Sequence, residues 1–143
     1  MRTNEIELLE HIVKSTEMGM DGINNVLKKA TEKKLRDELR DEYSEYKAIH
    51  KDASALLAER GEAPAGISAF AKLSSEMMTD IETAFDSSSS KLADMMIKGT
   101  TMGVTKSLKL MNNYDGDDKH IKDLCERLKK LEENRIKNLK SYL

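Results

Sequence analysis

Seven residues near the start of the chain, Ile6, Leu9, Val13, Thr16, Met20, Ile23 and Leu27, stand alternately three and four positions apart. That spacing keeps one side of an α-helix turned toward a neighbour along most of its length. A helix with such a seam has to bury it against another element, and the rest of the chain offers only more helices of the same kind. A second seam, Leu35, Leu39, Glu42, Tyr46, Ile49, Ala53 and Leu56, repeats the period. So does a third series near the C-terminus: Ile121, Leu124, Leu128, Leu131 and Arg135.

Composition agrees with this periodicity. Charged residues make up 35% and aromatics 4%, with nine Met and one Pro among 143 residues. Sheet-rich chains need more aromatic and β-branched residues and more turns. The length suits a single domain spanning 1–143. The formal charge of −2 leaves no basic footprint for nucleic acid and no cationic face for an anionic membrane. No apolar run approaches the ~20 residues of a membrane span. The opening Met-Arg-Thr-Asn-Glu-Ile-Glu has no apolar signal core, so the cytoplasm is the expected compartment. The single Cys125 excludes an internal disulfide, and beside Leu124 it reads as a buried or half-buried, inert thiol.

Five helices are expected. The first runs from about Thr3 to Lys29, opened by Asn4 and Glu7 as a capping box. The second runs from about Glu32 to Arg60, stopped by Gly61 and Pro64. A shorter third, about Gly66 to Phe85, carries Phe70, Leu73, Met77, Ile81 and Phe85. The run Asp86-Ser87-Ser88-Ser89-Ser90 reads as a tight loop with a serine N-cap rather than a phosphorylation cluster. The fourth, about Ser89 to Asn112, has the seam Ile97, Thr101, Val104, Leu108 and Met111. Turn residues Asn112 to Gly116 lead into the fifth, about Asp117 to Tyr142.

Gly19 and Gly22 interrupt the first helix, and Gly99 and Gly103 the fourth, although glycine inside a helix costs about 1 kcal/mol relative to alanine. Each pair flanks a seam in a stripe of small residues. The expectation is that these two helices cross closely at the glycines. The architecture expected from this is all-α: an up-down four-helix bundle of two antiparallel hairpins, with the short third helix in the crossover.

Two hairpins and a long crossover resemble the ferritin-like superfamily, in particular its small bacterial members. The resemblance rests on Gly19-Met20-Asp21-Gly22, on Glu59-Arg60-Gly61-Glu62-Ala63-Pro64 and on Gly99-Thr100-Thr101, and spans about Ile6 to Leu139. It implies a di-metal site built from one carboxylate on each of two helices and Glu-x-x-His on the other two. Alignment to that pattern places Met20 and Thr100 or Thr101 where two carboxylates belong, and Glu45 with Ala48 and Glu132 with Arg135 where the two Glu-x-x-His motifs belong. No Glu-x-x-His occurs: His11, His50 and His120 follow Leu8, Lys47 and Asp117 at that spacing. His11 and His120 read as surface residues, and His50 as half-buried with a partner.

The functional expectation is therefore a non-catalytic ferritin-like bundle, an interaction or structural protein with no cofactor. Its partner is an unidentified protein, with a homodimer as one option; neither nucleic acid nor membrane is expected. One alternative is an iron or manganese oxidase or store with an atypical site at Glu42, Glu45 and Glu132, with Asp21 as a further candidate. Another is a binder of a small apolar ligand in a Met-rich core, although methionine is foremost a filler of irregular helical packing. Glu42 and Arg135 both stand in seams, and an arginine cannot shed its proton and needs a carboxylate or water. Two arrangements are open: Arg135 pairs in the interior with Glu42, or with Glu45 one turn along, in place of metal; or Arg135 reaches outward to water with Glu42 near the bundle edge.

Overall fold

A computed structural model describes residues 2–62 and 88–143. The expected helix at 66–85, and Pro64 and Ser87, lie outside the described residues. Among those described there are four long helices and no strand: α1 Glu5–Leu27, α2 Lys33–Glu59, α3 Ser89–Asn112 and α4 Lys119–Leu139, with a 3₁₀ turn Lys140–Tyr142 closing the chain. The helices α3 and α4 are the fourth and fifth expected from sequence.

Several helix ends have a clear cause. Asn4 caps α1 by accepting the Glu7 N–H at 2.8 Å, while its amide donates to the Glu7 carboxylate at 2.9 Å. Ser88 accepts the Lys91 N–H at the start of α3. Asp118 accepts the N–H groups of His120 and Ile121 at the start of α4. At the end of α2, Gly61 takes φ +72°, Gly61 N–H donates to Ala58 and Glu62 N–H to Leu57. That bond pair is a Schellman motif, and its left-handed residue strains any side chain but glycine. The end of α1 is capped from outside: Arg36 donates through Nη1 to the Leu27 and Ala30 carbonyls at 2.6 and 2.7 Å. These are carbonyls that a helix end would otherwise leave without partners.

The most extensive packing is between α1 and α2; α3 packs on α4, α2 on α4 and α1 on α3. Side-chain pairs give the sense of each contact. Arg60 meets Glu5, His50 meets Glu17 and Arg36 meets Leu27, so α1 and α2 run in opposite directions. Arg127 with Asp52 and Tyr142 with Glu38 do the same for α2 and α4. The core of fully buried side chains includes Leu8, Leu9, Ile12, Ile23, Leu35, Leu39, Leu57, Leu92, Ile121, Leu128 and Leu139. Burial at ~25 cal/mol per Å² makes this interior the main favourable contribution to folding.

The seam of α3 differs from expectation. Its buried residues are Leu92, Ala93, Met96, Thr100 and Ser107, whereas Thr101 is exposed and Ile97, Val104, Leu108 and Met111 are only half-buried. The helix is turned by about one residue from its most apolar face. Ser107 meets His11 on the inward side, and Gly103 on the same face lies near Glu132.

Candidate functional site

The interior between α2 and α4 is not wholly apolar. Glu42 and Tyr46 stand four apart on α2, and Glu132 and Arg135 three apart on α4, so each pair shares a helix face. All four are buried, with Tyr46 fully enclosed and Arg135 only 5% exposed. The Tyr46 hydroxyl is the hub. It accepts from Arg135 Nη1 at 2.9 Å and donates to Glu132 Oε2 at 3.3 Å. Arg135 Nε lies 3.3 Å from Glu42 Oε1, an ion pair without hydrogen-bond alignment. Among the described residues, Glu42 Oε1, Glu132 Oε1 and Arg135 Nε make no hydrogen bond. The guanidinium also sits over the Tyr46 ring, 5.6 Å from its centroid.

Electrostatics follow from this placement. Burial pushes both carboxylic acids up to about 7, against the opposing pull of Arg135. Burial likewise raises the Tyr46 phenol well above its ordinary value. Burial disfavours the Arg135 cation, but Tyr46, Glu42 and Glu132 more than offset it and its pKa stays raised. Two acids around one fixed cation carry one surplus negative charge when both ionise. One bound proton removes it, and a buried cluster favours that neutral count.

The glycines take their place around this cluster. A Cβ on Gly19 would fall 2.6 Å from the Tyr46 ring, so Gly19 makes room for the tyrosine of α2. A Cβ on Gly103 would stand 3.9 Å from Glu132 Oε2, so α3 presents its small face to the α4 carboxylate. Gly22 is buried in α1. Gly99 is exposed, and among the described residues nothing lies within 4 Å of a Cβ placed there. The neighbours found at Gly19 and Gly103 are thus side chains of α2 and α4, where the sequence reading expected α1 and α3 to meet backbone to backbone.

Of the residues considered for metal, Glu42 and Glu132 enter the cluster and Glu45 does not: it is exposed, on the rim of a cleft of about 210 Å³ that Glu38 and Asp41 also line. Asp21 is half-buried on α1, within 3.5 Å of the Asn25 amide. Ala48 is exposed, Met20 half-buried and Thr100 buried. No three His, Cys, Asp or Glu among the described residues converge as metal ligands. Arg135 puts a permanent cation between the carboxylates an ion would need, so the residues present do not fit a di-metal centre. Among the described residues, Met96 is buried, Met20, Met95 and Met111 are half-buried, and Met18 and Met102 are exposed; Met77 and Met78 lie outside them.

Two features escaped the sequence reading. Tyr46 was legible as a seam residue, and the clue to its polar role was a buried phenol four positions from Glu42, since a buried Tyr hydroxyl needs a partner. His11, expected at the surface, is 8% exposed and bonded through Nε2 to Ser107 Oγ at 2.7 Å and Ser15 Oγ at 3.2 Å. Ser107, on the inward face of α3, encloses it. His50 is half-buried against Glu17 at 2.9 Å, and His120 is exposed at the start of α4, both as expected. Cys125 is buried, and burial pushes its thiol up to about 11, which keeps it unreactive.

No helix is long and apolar enough to cross a membrane among the described residues. The chain has no match among family models, curated proteins or solved structures.

Proposed function

We propose that this chain is a non-catalytic bundle of the ferritin-like kind: two helical hairpins, α1–α2 and α3–α4, serving as an interaction or structural protein. One observation carries the reading. Arg135 is buried beside Glu42, Tyr46 and Glu132, and the resemblance to ferritin-like proteins implies that carboxylates and histidines would gather there in a metal-binding relative. A guanidinium supplies there the positive charge that ions supply in such a relative, and it cannot be displaced by changes in metal supply. It donates to the Tyr46 phenol and forms an ion pair with Glu42, both on α2, and so ties α2 to α4, which is a structural task. Nothing in the cluster is arranged as a nucleophile with a base; Glu42 borders the cleft of about 210 Å³, but its neighbour there is the permanent cation of Arg135.

The deciding experiment is elemental analysis of protein purified from medium supplemented with iron and manganese, alongside an Arg135→Met variant. The expected result is no stoichiometric metal in the natural chain. Two ions per chain would overturn the reading and favour the oxidase or storage alternative.

A further inference from the structure

The contact between α1 and α3 is built differently from the other helix pairings. Beyond Met96, the buried residues of α3 are Thr100 and Ser107, neither of which offers much apolar area. The side chain that meets Ser107 from α1 is His11, itself 8% exposed. One imidazole nitrogen, Nε2, holds hydroxyls from both helices: Ser107 of α3 at 2.7 Å and Ser15 of α1 at 3.2 Å. The charges acting on the ring are Lys106 on α3 and Lys14 on α1. No carboxylate on α2 or α4 acts on it among the described residues.

We propose that the His11–Ser107 contact is an acid-sensitive latch that holds the C-terminal half of α3 against α1. Neutral imidazole suits the site, because a buried ring between two lysines has no counter-charge to offer a cation. On acidification the ring gains one proton from solvent and becomes a donor at both nitrogens. Ser107 can still accept from it, so the strain comes from the buried charge beside Lys14 and Lys106 rather than from a lost hydrogen bond. Separation of α3 from α1 exposes the ring and gives the charge to water. No apolar side chain in this half of α3 is fully buried, and only the half-buried Val104, Leu108, Leu110 and Met111 oppose that movement. Burial, then Lys106 and Lys14, hold the closed ring down to about 4, against 6.5 for an exposed one. The closed state therefore refuses a proton that the open state accepts between those limits, and acid favours opening.

The effect is local, and the carboxylate cluster makes it separable from general acid unfolding, since its raised acids gain protons more readily in the fold and act with the opposite sign over the same range. Amide hydrogen exchange of the full chain at pH 7 and pH 5, corrected for intrinsic rates, reads each helix separately. Residues 100–112 are expected to open more often at pH 5, by on the order of tenfold, with α2 unchanged or better protected. His11→Gln, which keeps a hydrogen-bonding group without the charge, is expected to abolish that difference. Equal protection of 100–112 at both pH values, or loosening of all four helices together, would overturn the latch. The ring itself gives a measurement that needs no variant: an NMR titration of His11 with its midpoint near 6.5 also refutes it, and a midpoint well below supports it.

Discussion

Arg135 is the residue on which the interior turns. Removing one partner of a buried ion pair leaves the other charged without compensation, at a cost of about 3–5 kcal/mol. Arg135→Met is therefore expected to lower stability strongly by urea unfolding, and Glu42→Gln by less, since burial already favours protonated Glu42. The double variant should lose clearly less than the sum, with a coupling of about 1 kcal/mol or more. Additive losses would mean that the 3.3 Å approach contributes nothing. The glycines give a second contrast between single residues. Gly19→Ala drives a Cβ into the enclosed Tyr46 ring and should cost about 1–3 kcal/mol by overpacking. Gly99→Ala meets open space on an exposed helix face and should be neutral or stabilising by up to about 1 kcal/mol. Equal thermal shifts for the two would contradict the placement of Gly19 against Tyr46.

Among the elements, α2 is the best determined and α3 the least. The termination of α2 was readable because Gly61 followed by Pro64 is backbone chemistry, independent of what the helix packs on. Its positive φ makes a direct test: Gly61→Ala should lower stability by about 1 kcal/mol through strain at the left-handed position, read as a reduced melting temperature with an unchanged helical spectrum. The face of α3 was misjudged for a physical reason. Ile97, Val104, Leu108 and Met111 form the more apolar stripe, and hydrophobicity alone would bury it. Instead Thr100 and Ser107 turn inward, on the side of the helix where Gly103 meets Glu132, while Ser107 meets His11. A helix beside polar interior groups can place small polar residues there, and that choice is invisible without the partner.

At the scale of the whole molecule, the response to pH has two opposed parts. Glu42 and Glu132 are held in the fold at about 7, above the ordinary value of 4.5, so between those limits the folded chain binds more protons than the unfolded one. Stability from this source is full below about 4.5 and falls as pH rises toward 7, by about 1–3 kcal/mol for the coupled pair. His11, held low, works the other way and favours the fold as pH rises from about 4 to 6.5. In His11→Gln the carboxylate part should stand alone, with urea midpoints decreasing steadily from pH 4.5 to 7. Glu132→Gln in that background should flatten the slope; an unchanged slope would show that the cluster does not titrate as its burial requires.

The all-helical class and the ends of α1 and α2 followed from period and capping alone, because those are properties of a helix and its own neighbours in sequence. The same holds for the burial of Cys125, flanked by a periodic leucine. Period also put Glu42 and Arg135 in seams, but it left open whether Arg135 turns inward to a carboxylate or outward to water. Only the tertiary structure decided that Tyr46 joins Arg135 to Glu132, that Gly19 serves that tyrosine, and that His11 turns inward to Ser107 across 96 positions of chain. Each of these depends on the rotation of one helix about its axis relative to another. That rotation is set by the summed packing of whole faces, and a single strand of sequence, read residue by residue, does not contain it.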